Sequence, residues 1–260
     1  MVGRAAAVLS TPRALGFVAL AVVVGVYYAT HESWFELSLW PSLAWICFLL
    51  IPAVFGLVWF ALPLWRAPLR QLVVLAVACG AAAVLLQWAG AGILANFGKL
   101  AAMTFVGWCF LRFFEELSWV VLVACIVPWV DAYSVWRGPT KVIVDQHRDV
   151  FTNFSFAFAI PGETSAANLG LPDLLFFALF LAASARWELR PRLTWLLLTL
   201  SFGATLALAV WRELDGLPAL PLLALGFLLA NGDLIWTRFR QERARRFEET
   251  GTRSSGRSEP

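Results

Sequence analysis

Apolar residues run along this chain in long blocks, most of them closed by Pro, Arg or an acidic residue. A membrane-spanning helix needs about 20 mostly apolar residues. Eight blocks approach that length: 14–30, 42–64, 71–94, 98–114, 117–136, 169–185, 193–211 and 217–236. The breaks are polar, as at Trp65-Arg66-Ala67-Pro68 and Arg190-Pro191-Arg192, and Glu115-Glu116 is the shortest. The pattern predicts an all-α fold, a polytopic transmembrane helical bundle over 1–236 with about eight spans. The stretch 237–260 is rich in Arg, Glu and Ser and predicts a disordered basic tail. The first block follows Arg4 and Arg13 but ends on Tyr27-Tyr28-Ala29, a poor cleavage site. It therefore reads as an uncleaved helix rather than a signal peptide.

One long gap, 137–168, interrupts the series. Val142-Ile143-Val144 is strand-like. Phe154, Phe156, Phe158 and Ile160 alternate with Ser155, Ala157 and Ala159, a period-two pattern that reads as a strand. Pro161-Gly162 closes it. Two readings fit equally: a loop dipping aromatic residues into lipid, or a short hairpin with an exposed edge.

Composition agrees with the pattern and excludes several classes. Hydrophobic residues make up 60% and charged residues 14%, against about 45–50% and 25% in soluble domains. Mean hydropathy is +0.75. A soluble nucleic-acid binder, a disordered regulator and a secreted disulfide scaffold are excluded. The bilayer is the implied partner, with no nucleic acid. Cys47, Cys79, Cys109 and Cys125 lie in apolar runs without a C-x-x-C pair, and His31 and His147 stand far apart. No metal site and no cofactor follow from them. With the N-terminus inside, 15 of the 20 Lys and Arg residues, seven of them beyond Trp236, fall on the inner face. The positive-inside rule then places both termini in the cytoplasm, as expected of a multi-pass protein in a prokaryotic plasma membrane.

The scarcity of charge makes two aspartates conspicuous, because ionisable groups inside a membrane are costly and usually functional. Asp131 lies six residues before Arg137, about 9 Å from the outer end of the fifth block at 1.5 Å per residue. Asp173 lies five residues after Asn168, about 7–8 Å into the sixth by the same rise. The two blocks run in opposite directions, so the carboxylates fall at one depth. Two carboxylates sharing a site hold one proton between them. The ionised one can activate water while the protonated one polarises a peptide carbonyl. Each residue also has a plainer reading. Asp173 follows Pro172 and suits a helix start. Asp131 could pair with a base or carry protons in a transporter.

A third element lies at the same depth: Pro218-Ala219-Leu220 opens the last block. In order, an Asp in the fifth block, Gly170-Leu171-Pro172-Asp173 opening the sixth, and Pro218-Ala219-Leu220 opening the eighth resemble the presenilin and signal-peptide-peptidase family of intramembrane aspartyl proteases. The resemblance covers roughly 117–236. It implies an aspartic endopeptidase that cuts transmembrane-helix substrates, with Asp131 and Asp173 catalytic. It also implies that Gly170, Leu171, Pro172, Pro218, Ala219 and Leu220 shape the site. That family is thought to hold unwound substrate as a strand against the loop before the second Asp, and Phe154–Ile160 offers an edge for such pairing. Val130 stands where the family usually has Tyr, and Pro172 where it has the second Gly of Gly-x-Gly-Asp. Pro at 172 fixes φ and removes a donor.

Other readings stay open. Gly232-Asp233 is another Gly-Asp pair, but it falls at the inner end of the last block, the wrong side from Asp131, and reads as interfacial. A prepilin-type peptidase would want a large cytosolic loop that is missing here. A proton-coupled transporter could use the same aspartates, although no inverted repeat accompanies them. A presenilin-like scaffold that binds membrane helices without cutting them is the third alternative.

Overall fold

The computed structural model describes residues 10–137, 154–214 and 217–255. Eight helices and one hairpin account for nearly all of them. The helices are α1 (Thr11–Thr30), α2 (the span Leu39–Arg66), α3 (Leu69–Trp88), α4 (Gly92–Leu111), α5 (Leu117–Arg137), α6 (Leu171–Arg186), α7 (Pro191–Trp211) and α8 (Leu220–Ser255). The strands β1 (Ser155–Ala159) and β2 (Ala166–Gly170) lie between α5 and α6 and pair antiparallel, with Ala157 opposite Asn168. Val142-Ile143-Val144 lies outside the described residues.

Seven helices are long and apolar enough to cross a membrane, so this is a multi-pass integral membrane protein. The exception is α6. Its 16 residues span about 24 Å at 1.5 Å each, short of a hydrocarbon core of about 30 Å. It is also the most enclosed helix. Residues Phe177 to Ala183 are completely buried, because α4, α5, α7 and α8 all pack on it. The expected sixth span is thus a central helix walled by protein, with β2 leading directly into it.

Local chemistry explains the helix limits. Pro52 cannot donate to the helical ladder, and the wide π-turn Ile46–Leu50 just before it absorbs the misfit within α2. Gly90, at φ 75°, makes the turn between α3 and α4 in a conformation that other residues rarely adopt. That turn carries neither Pro nor charge. The expected boundary at 94–98 is therefore displaced, and Lys99, expected at the very start of its block, sits about two turns inside α4. Helices approach closely at small residues. A Cβ on Gly107 of α4 would lie 2.5 Å from the Leu175 carbonyl of α6, and one on Gly226 of α8 would lie 2.7 Å from the Ser201 hydroxyl of α7.

The tail is corrected. From 237 the chain was expected to be disordered, yet α8 continues unbroken to Ser255. Residues 237–250 hold Arg, Glu, Gln and Ala, all good helix formers, with neither Gly nor Pro.

Of the two readings of the loop, the structure has the hairpin. Its inner strand is β1, with Phe156 and Phe158 buried. The outer edge of β1 is occupied by side chains. Tyr27 Oη donates to the Ala159 carbonyl and Tyr28 Oη to that of Ala157, each at 2.8 Å. Asn96 brackets Ala157, accepting from its N–H and donating to its carbonyl, both at 2.9 Å. Lys99 Nζ donates to the Ser155 carbonyl at 3.2 Å. The expectation that Phe154–Ile160 offers an edge for strand addition is therefore corrected. Ala157 turns its main-chain groups toward Asn96, so by alternation Asn168 opposite it turns its own away from β1. The outward edge of the hairpin belongs to β2.

Candidate functional site

Three chain segments far apart in sequence meet at one end of the bundle. Asp131 lies in the last turns of α5, just past Pro128, which withholds one bond from the helical ladder. Asp173 is in the first turn of α6. The Asp131 carboxylate is close enough for its charge to act on Asp173. Both residues are partly buried.

Each carboxylate is held by a helix start. The Leu220 amide donates to Asp131 Oδ2 at 3.0 Å. Leu220 is the first residue of α8, where amides have no partner within the helix. Asp173 is the third helical residue after Gly170, and the Gly170 amide acts on its carboxylate from the helix start. This is the position of the acid in a capping box. The positive ends of α6 and α8 thus converge on the two acids.

The neighbouring residues divide cleanly. Gly170 has ordinary extended backbone, φ −60° and ψ 142°, so conformation does not require glycine. A Cβ there would lie 3.1 Å from Asp173 Oδ2, a tight contact that would press on the carboxylate. Pro172 is exposed and occupies the first turn of α6, where its missing N–H costs no ladder bond. Its fixed φ and missing donor are both accommodated at the helix start. Leu171 begins α6, and its amide reaches the Phe154 carbonyl at 3.4 Å. Pro218, Ala219 and Leu220 are all buried. Val130 is 61% exposed.

Asp233 is remote from this group. It forms a two-pronged ion pair with Arg190, at 2.9 and 2.6 Å, at the other end of α6. Among the described residues, no three His, Cys, Asp or Glu side chains gather as metal ligands would. What the arrangement offers chemically is a pair of acids lined by two oriented amides, beside a strand edge.

Sequence reasoning missed two parts of this region. The Leu220 contribution is a backbone amide, which no residue pattern announces. The hairpin anchors Asn96 and Lys99 were legible in principle, as two polar residues three apart on one face of an apolar helix. Compared with models of known protein families and with curated proteins, the chain has no match.

Proposed function

We propose that this protein is an intramembrane aspartyl protease that hydrolyses peptide bonds within transmembrane helices. The observation that carries the reading is the bond from the Leu220 amide to Asp131, alongside Asp173. It joins the three stretches that the family resemblance selects, and they come from three different helices.

In this reading the two carboxylates share one proton. The ionised acid takes a proton from water, which attacks the scissile carbonyl. The protonated acid hydrogen-bonds the carbonyl oxygen, then passes its proton to the leaving nitrogen. The Leu220 and Gly170 amides orient the acids. A substrate helix hides its peptide bonds, so it must unwind. The unwound segment would add as a strand along β2, whose outward edge leads straight to Asp173. Positive-inside placement puts this end of the bundle outside the cell and the end of α8 in the cytoplasm.

The test is reconstitution of the protein with helical membrane substrates. The wild type should cleave, with a bell-shaped pH profile, because neither the doubly protonated nor the doubly ionised pair is competent. Asp131→Asn and Asp173→Asn should each abolish cleavage while the protein stays folded. Cleavage surviving in either variant would remove the dyad assignment. If the wild type binds helices without cutting any of them, the scaffold reading replaces the protease.

A further inference from the structure

At the end of the bundle opposite the aspartates, the start of α1, the end of α2 and the α6–α7 junction line an open cavity of about 860 Å³. That volume is typical of a small-ligand site. Arg13, Arg66, Arg190 and Arg192 line it, with Trp59 and Trp65. Its charge is not balanced. Arg190 is neutralised by Asp233. Glu188 is the one acid on the wall, against the three remaining arginines. Among the described residues, none of those three has an ion-pair partner.

The wall is built rather than incidental. Arg112 stacks on Trp65, 5.5 Å from the ring centre. It also donates to the carbonyls of Trp65 and Ala67, at 3.0 and 2.8 Å. Arg66 lies over the same ring. The junction turn is held by Glu188 at φ 48° and by the Leu189 amide reaching back to the Ser184 carbonyl at 2.8 Å, a Schellman closure of α6. The positive end of α7 opens onto the same space. Leu62, Pro63 and Leu193 complete an apolar side. The cavity thus offers cations at the level of the helix ends, with Trp and aliphatic surface beside them. A free phosphate would leave that apolar side unfilled.

We propose that this cavity binds the phosphate-bearing headgroup of an anionic phospholipid. Arg13, Arg66 and Arg192 hold the phosphate, and the tryptophans pack on the glycerol and upper acyl chains. A headgroup with its own ammonium is disfavoured by the surplus positive charge. The site does not depend on the peptidase reading.

The experiment places the full-length protein in nanodiscs of phosphatidylcholine doped with phosphatidylglycerol and counts retained lipid by native mass spectrometry. Phosphatidylglycerol should be preferred by about tenfold or more. Arg13→Gln, Arg66→Gln and Arg192→Gln combined should erase the preference. The charge-matched combination Arg70→Gln, Arg238→Gln and Arg240→Gln, outside the cavity, should keep it. Glu188→Gln should strengthen it, and this gain does not depend on the triple variant folding. Equal retention of the two lipids, equal loss in both triple variants, or no gain in Glu188→Gln would overturn the proposal. So would free glycerol 3-phosphate or inorganic phosphate being retained while phosphatidylglycerol is not.

Discussion

Leu220 serves the site through its main chain, and that separates two substitutions that look alike. Leu220→Pro deletes the N–H that binds Asp131, at a first-turn position where proline suits the helix. Leu220→Ala keeps the N–H and loses only buried side-chain volume. A hydrogen bond to a charged group contributes about 1.5–3 kcal/mol. Leu220→Pro should therefore slow cleavage tenfold or more beyond Leu220→Ala at matched thermal stability, read from kcat and melting together. Equal kcat in the two would mean that the amide has no part in the chemistry. Pro172 shows the limit of judging a residue by type. Proline in place of glycine suggests a blocked motif until its position is known. In the first turn of α6 the missing donor is one the helix never used.

Among the elements, the hairpin depends most on its surroundings. Two strands alone are marginally stable, and β1 survives because α1 and α4 supply Tyr27, Tyr28, Asn96 and Lys99 to its outer edge. Asn96→Leu leaves the N–H and carbonyl of Ala157 without the Asn96 partner. Unsatisfied buried groups cost about 1–3 kcal/mol each. The variant should lose several degrees in melting temperature, and amide exchange should quicken in β1 and β2 before it does in α6. Unchanged exchange across the hairpin would show that it is held by other means. The alternating phenylalanines were enough to mark β1 as a strand. Which strand keeps an available edge was not legible, because it depends on side chains from helices more than 50 residues away.

For the molecule as a whole, the start of α1 lies at the cavity end, and α8 returns to that end, where Asp233 meets Arg190. In the orientation proposed from arginine placement, that face is the cytoplasmic one. A reporter fused after Pro260 should read cytoplasmic, and an extracytoplasmic signal would invert the orientation and move the aspartates to the inner side. The buried position of α6 also links the two ends. Asp173 sits in its first turn, and Ala185 and Glu188 border the cavity at its other end.

The sequence by itself determined the membrane class, the helix series and the two aspartates, because lipid admits few charges and each exception stands out. The matched depth of Asp131 and Asp173 followed from helix rise alone. Only the tertiary structure decided that α6 is an enclosed helix too short to span unaided. It alone decided that β1 is sealed while β2 turns outward, and that a main-chain amide of α8 reaches Asp131. The physical reason is that hydropathy reports contact with lipid residue by residue. Burial by neighbouring helices, edge capping and backbone donors at helix starts are relations between distant segments, and no local pattern records them.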